Sequence, residues 1–435
     1  MNATIVRPGP PLSGTVKVAG ATKNAGLKQL AAAILAPGVT VVRNLPPVSD
    51  LEVMLALLDA IGVETHWAGA TELHVDTSGT LVPEAPYDLV SQMRASINVL
   101  GPLLARCGEV RVALPGGDNI GSRKLDLHVR GLVAMGAEIE VHHGFVEARC
   151  NALSGSHIVL DFPSVGATEN LMTAAVLAKG ETVIDNAARE PEVTDLAAFL
   201  NRMGGQIIGS GSSTIHIEGV EELVPCETTI MGDRIEAGTF LMACGAAGGE
   251  ITLEGVRLEH LEMVATKLGE MGMRVSPTPD GIWASAPEQL SAVDISTLPF
   301  PGFATDFMPM VVALLSVSDG TAIVTENVFD SRFSFIDELV RMGADVRSEG
   351  RHAIIRGKTM LSGAPVRAVD VRAGAALAIA GLRADGETTI HDWHHVDRAY
   401  PDLVGGLAGL GASISAADTP PDPTTPTPGT REGIE

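Results

Sequence analysis

The residues with the clearest chemistry lie in Leu114-Pro-Gly-Gly-Asp-Asn-Ile-Gly-Ser-Arg-Lys-Leu-Asp-Leu-His128, where three glycines fall within eight residues. Such a backbone can approach a ligand closely and take positive φ. Asp118 sits inside the glycine turn, and Arg123, Lys124 and Asp126 follow it. One acid at the tip of a loop, with two cations at its base, suits proton transfer onto a phosphate-bearing ligand. The competing reading is a solvated surface turn. The rest of the chain decides between them.

Other polar residues fall at recurring places. Gly20-Ala-Thr-Lys23-Asn24 stands between a strand pattern and an Ala/Leu-rich helix pattern. A lysine at a helix start opposes the helix dipole unless an anion binds there. Arg94 opens a largely apolar helix, where a charge needs a partner. Phe162-Pro-Ser-Val-Gly-Ala-Thr-Glu-Asn170 is a polar turn that offers backbone N–H groups to a phosphate. The corresponding turns later in the chain are Gly232–Gly238, Pro299–Asp306 and Asp370-Val-Arg372, with Arg332 and Arg398 downstream. Lys23, Arg94, Asp306 and Arg372 thus occupy equivalent positions, at the mouths of apolar helices. They are expected to line a cleft rich in cations and poor in acids, which closes around a polyanionic pair of substrates. Structural salt bridges between repeats are the alternative.

The elements that must position these residues form a repeat. An amphipathic helix ends in a Met-Gly-Ala-like stop, as in Leu132-Val-Ala-Met-Gly-Ala137, Leu339-Val-Arg-Met-Gly-Ala344 and Leu407-Ala-Gly-Leu-Gly-Ala412. Glycine there suits a left-handed helix C-cap. Alternation such as Ala137-Glu-Ile-Glu-Val141 then has the period of a half-buried strand. A helix with little polar face precedes each such segment and should be buried. The unit reads strand, buried helix, strand, exposed helix, two strands. It begins near Val16, Leu89, Ile158, Thr229, Val293 and Val366, about 70 residues apart. Units this long exceed a solenoid repeat. Two globules of three units are expected, with helices inside, sheets outside and a boundary near residue 230. The stretch from Ala416 is Pro/Thr-rich and is expected to be disordered.

Composition narrows the function. The chain has 435 residues, so two domains are the default. A formal charge of −23 argues against nucleic acid or an anionic membrane as partner. It also makes a local cluster of arginines more informative. Four scattered cysteines show no zinc-type spacing, so free thiols in a reducing cytoplasm are expected, with no metal. The N-terminus lacks the apolar run of a signal peptide, and no apolar stretch has transmembrane length.

Read together, LPGG-x-x-IG-x-R-x-x-DLH, QMRAS, FPSVGATEN, GDRIEAGTF, PGF-x-TD, ENVF-x-x-RF, D-x-RA and VDR-x-Y resemble the enolpyruvyl transferases. The motifs occur in order over roughly residues 12–416. The resemblance implies an α/β fold, a two-domain inside-out α/β barrel of six βαβαββ repeats. The first strand would pack with the second domain, giving 22–230, then 1–21 plus 231–416, then a tail over 417–435. It implies transfer of the enolpyruvyl group of phosphoenolpyruvate to the 3-hydroxyl of UDP-N-acetylglucosamine for peptidoglycan synthesis, without a cofactor. By resemblance, Asp118 stands where the family usually has Cys, as the loop acid. Asp306 would be the base, and Lys23, Arg123 and Arg398 would hold phosphoenolpyruvate, with Arg94 nearby. Asn24, Arg94, Arg123, Lys124, Leu125, Asp126, Leu127, Phe162, Pro163, Ser164, Val165 and Val328 would bind the nucleotide sugar. Arg332 and Arg372 look like closure and anion contacts.

The chain departs from the family's pattern at a few points. Thr22 lengthens the usual Gly-Ala-Lys-Asn, Lys124 replaces a Pro, Ala304 a Pro and Ala399 a Gly. Thr22 and Lys124 leave room for a nucleotide acceptor such as UMP. A non-catalytic nucleotide-sugar binder is the remaining alternative. A shikimate-type acceptor is disfavoured, because that branch's Lys-Ser-x-Ser pattern is missing.

Overall fold

Each repeat builds one four-stranded sheet over one buried helix. In the computed structural model, which describes residues 3–118 and 125–417, the third repeat shows the plan most plainly. Strand His157–Val159 leads into the buried helix Val165–Ala175, and strand Glu181–Asp185 follows. Helix Pro191–Arg202 then returns to strands Gln206–Ile208 and Thr214–Glu218. The first strand runs parallel to the second, with Ile158 opposite Ile184. The fourth lies antiparallel to the second and to the third. Among the described residues, six four-stranded sheets share this arrangement, and one small two-stranded sheet joins Leu361–Ser362 to Ala384–Asp385.

Residue type explains which helices go inside. Every residue of Met308–Leu315 and of Val371–Gly381 is buried, as is all of Arg234–Ala247 except Ala247. Chains of Ala, Leu, Met and Gly with no polar face have nowhere else to go. By contrast, Pro191–Arg202 buries Val193, Leu196, Phe199 and Leu200 and turns its polar face outward. The buried apolar side chains fall into two clusters. One runs from Ala21 to Ile230. The other holds Val6, Leu12 and Val18 together with residues from Ile235 to Ile414.

Two strands are exchanged between the halves, which corrects the unit boundaries read from spacing. Leu12–Lys17, which contains Val16, pairs in parallel with Gly249–Glu254 of the fourth unit rather than with the first. Glu227–Thr229 pairs with Val39–Arg43 of the first unit rather than with the fourth. Strand Ala3–Arg7 lies between Thr388–His391 and Ser413–Ala417, completing the sixth sheet. The two crossing segments meet as the bridge Gly20–Gly232. Glycine is required at Gly20, since a Cβ would lie 1.7 Å from the Asn44 carbonyl oxygen. Ala416 and Ala417 end a strand paired with Thr4 and Ala3, so order extends to the first residues assigned to the tail. The remainder of that tail lies outside the described residues. No helix among the described residues is long and apolar enough to cross a membrane.

Candidate functional site

Three buried helices begin at the same cleft, each behind a side-chain cap. Ser164 Oγ accepts from the Ala167 N–H at 3.3 Å. Asp233 Oδ1 accepts from Ile235 at 2.7 Å, and Asp370 Oδ1 from Arg372 at 2.8 Å. Such caps satisfy the first-turn N–H groups and fix where each helix starts. The cleft between the two cores has a volume of about 630 Å³ and draws its lining from both. Every site residue proposed from the sequence that the structure describes lines this cleft, except Leu125. Leu125 instead packs, half-buried, on the first core, where it precedes helix Asp126–Ala134. Arg123 and Lys124 lie outside the described residues.

At one end four charges alternate. Lys23 projects from a π-helical turn, Thr22–Gly26, in which the Leu27 N–H reaches back to the Thr22 carbonyl. The turn absorbs the extra residue Thr22, whose buried hydroxyl donates to the Pro46 carbonyl at 2.9 Å. Turns of this kind are rare and are often found at functional sites. Lys23 Nζ pairs with Asp50 Oδ2. Asp50 Oδ1 accepts from Arg398 Nε at 2.8 Å, and Arg398 Nη1 donates to Asp118 Oδ1 at 2.5 Å. Burial lowers the Lys23 pKa, with Asp50 and Asp118 opposing and Arg398 assisting. Burial also acts to lower Arg398, but Asp50 and Asp118 hold it above its ordinary value. The glycine turn does what its sequence demands. A Cβ at Gly116 would lie 1.7 Å from the Ser91 carbonyl oxygen, and Gly117 takes φ of 110°.

At the other end one carboxylate is held by two arginines. Asp306 Oδ1 accepts from Arg332 Nη2 at 3.1 Å. Its Oδ2 accepts from Arg372 Nη2 at 2.9 Å and Nε at 3.2 Å. Burial would raise the Asp306 carboxyl, but Arg372 and Arg332, with Arg234 farther off, hold it well below the usual carboxylate range. Arg372 Nη1 and Arg332 Nε are buried and have no hydrogen-bond partner among the described residues.

Between these ends the lining corrects the expectation of few acids. Carboxylates are almost as numerous there as cations. Glu192 accepts from buried Arg234 Nε at 2.9 Å. Glu169 is pushed up to about 7 by burial, with Lys28 opposing and Glu192 and Glu190 adding. From the same helix as Glu169, Asn170 Nδ2 donates to His128 Nδ1 at 3.1 Å and to the Ile97 carbonyl at 2.9 Å. Burial, then Arg94, lowers His128 to about 4, so its imidazole is neutral. The sequence reading missed Asp50, Glu169 and Arg234. Asp50 lies in the first turn of helix Ser49–Ala60, where an acid is ordinary.

Comparison with known proteins agrees with this geometry. The family model for EPSP synthase (3-phosphoshikimate 1-carboxyvinyltransferase) matches residues 6–407. The chain is 48% identical to the UDP-N-acetylglucosamine 1-carboxyvinyltransferase of Corynebacterium jeikeium, over 94% of this chain and 98% of that one. It is also 48% identical to the enzyme of the same name from Mycolicibacterium paratuberculosis, over 95% and 99%. Among solved structures, the enolpyruvyl transferase NikO from Streptomyces tendae superposes with a TM-score of 0.85 at 26% identity, covering 96% of this chain and 99% of that one. EPSP synthase from Acinetobacter baumannii shares the fold, with a TM-score of 0.72 at 20% identity, covering 95% and 100%.

Proposed function

We propose a reaction from one premise, that this chain belongs to the enolpyruvyl transferase family. It is an enzyme that transfers the enolpyruvyl group of phosphoenolpyruvate to the 3-hydroxyl of UDP-N-acetylglucosamine and releases phosphate. The product enters peptidoglycan synthesis. The observation that carries the reading is a single cleft with Lys23, Asp50, Arg398 and Asp118 alternating in charge at one end and a doubly held carboxylate at the other. The four cysteines are unpaired, which suits the reducing cytoplasm in which we place the reaction. We take the two buried clusters as two domains, 22–230 and 1–21 plus 231–416, with the cleft between them.

The chemistry is addition and elimination. In the addition, Asp118 gives a proton to the methylene carbon of phosphoenolpyruvate. The sugar oxygen bonds to the adjacent carbon, and its proton goes to Asp306. In the elimination, the methyl carbon returns a proton to the Asp118 carboxylate, the double bond re-forms, and phosphate leaves with the C–O electron pair and carries off the proton held by Asp306. Lys23, Arg123 and Arg398 hold the anion throughout, while Asn24, Arg94, Phe162 to Val165 and Val328 hold the nucleotide sugar. Before substrate binds, Asp118 occupies Arg398 as a carboxylate would. Phosphoenolpyruvate takes that cation, and the displaced carboxyl loses the contact that favours its charged form. Asp306, held low by Arg372 and Arg332 against its burial, is a carboxylate at neutral pH, the form a base needs.

The test is phosphate release from phosphoenolpyruvate in the presence of UDP-N-acetylglucosamine, UDP-glucose or UMP. Turnover is expected with UDP-N-acetylglucosamine alone. Turnover with UMP instead would overturn the acceptor, and no turnover with any would favour a silent binder.

A further inference from the structure

Lys28 lines the cleft but directs its ammonium inward. Nζ donates to the Lys23 carbonyl at 3.3 Å and to the Asn24 carbonyl at 2.9 Å. An ammonium carries three donors, and the next acceptor is Glu169 Oε2 at 3.9 Å. Glu169 is 1% exposed, and neither of its carboxylate oxygens has a hydrogen-bond partner among the described residues. The reaction above uses neither Lys28 nor Glu169. The carbonyls that Lys28 ties belong to the Thr22–Gly26 turn, which carries Lys23 and Asn24 into the cleft. Glu169 belongs to a different element, the buried helix Val165–Ala175.

We propose that Lys28 and Glu169 are a positioning pair: Lys28 clamps the Lys23–Asn24 turn from beneath, and Glu169 anchors Lys28 to the core helix. The inference rests on reading the Lys23 end as the phosphoenolpyruvate site. A turn wound with one residue more than an α-helical turn needs a fixed reference if its lysine is to meet an anion at a set place. Lys28 supplies that reference across two elements. Glu169 Oε2, 3.9 Å from Nζ, is the acidic partner that keeps Lys28 from swinging into the open cleft. Glu190 and Glu192 stand close enough to oppose ionisation of Glu169, and Lys28 is the cation that offsets them and its burial. Each member therefore needs the other.

The experiment compares Lys28→Met, Glu169→Gln and the double variant. It reads the KM for phosphoenolpyruvate, the Kd for UDP-N-acetylglucosamine and the melting temperature. Lys28→Met is expected to raise the KM at least about tenfold, the size of one charge-assisted contact. The Kd should rise by less than the KM, because Asn24 is one of several residues that hold the nucleotide sugar, and the double variant should be no worse than Lys28→Met, because paired residues are not additive. A lower melting temperature with an unchanged KM would overturn the proposal, as would additive effects. Glu169→Gln keeps the side-chain shape and carries the same test if Lys28→Met does not fold. No phosphate release by the unsubstituted protein would overturn the underlying reading instead. That failure is distinguishable because it appears before any substitution.

Discussion

The two ends of the cleft hold their charges in opposite ways. At the Lys23 end, contacts cross between the halves: Lys23, Asp50 and Asp118 come from the first half, and Arg398 comes from the second. Carboxylates and cations are matched there, and one carboxylate sits on the glycine turn. At the Asp306 end, Asp306, Arg332 and Arg372 all come from the second half. Arginines outnumber the carboxylate, and both are almost fully buried, with side-chain exposures of 4% and 2%. The first end can exchange an internal acid for a substrate anion and can register whether the halves are together. The second is assembled before substrate arrives, so it costs no reorganisation when charge moves.

If this contrast is right, the largest effect lies at the exchangeable acid. Asp118→Asn should slow phosphate release by about 10²–10⁴-fold, the usual worth of general acid catalysis. Asp118→Cys should keep turnover and become open to alkylation by a phosphonate epoxide such as fosfomycin, because a thiolate is the stronger nucleophile. The unsubstituted protein should resist that reagent. A full rate in Asp118→Asn would reduce the loop to a lid.

Next come the arginines, which should fail differently at the two ends. Arg398→Ala should raise the KM for phosphoenolpyruvate at least about tenfold, while Asp50 keeps Lys23 as its partner. Arg372→Ala should show first in urea unfolding, at about 3 kcal/mol, because it breaks a buried pair and leaves Asp306 with Arg332 alone. Equal KM effects and equal unfolding midpoints would erase the distinction.

The smallest effect is in the acid branch of stability. The Asp306 carboxyl is lowered by folding, so its contribution is present above the unfolded value of about 3.9 and is lost as pH falls towards the folded one. Urea stability should therefore fall below about pH 4 more steeply in the unsubstituted protein than in Asp306→Asn. Above about pH 5 the two curves should run parallel. Identical slopes in the acid range would mean that the arginines do not hold Asp306 ionised.

Much of this architecture was readable in the chain. Helices such as Val371–Gly381 announce burial because they have no polar face, and Gly117 announces a positive-φ turn. The exchange of Leu12–Lys17 and Glu227–Thr229 was not readable. Both strands are short and mostly polar, Leu-Ser-Gly-Thr-Val-Lys and Glu-Thr-Thr, so neither carries an apolar alternation that would assign it to one sheet. Leu125 lies off the cleft because a motif gives a run of residues, while the helix start at Asp126 decides which of them face it.

The sequence by itself determined the repeat, the buried helices, the capped turns at their mouths and most of the charged residues that meet there. These follow from local periodicity and from the steric and hydrogen-bonding needs of a few residues. Only the tertiary structure decided how those charges pair. Asp50 and Arg398 are 348 residues apart, and nothing near either names the other. Glu169 reads locally as one more polar residue in a helix, yet it lies 1% exposed beside Lys28 of another element. Burial and charge pairing depend on which surfaces are brought together in space, and local sequence does not encode that choice.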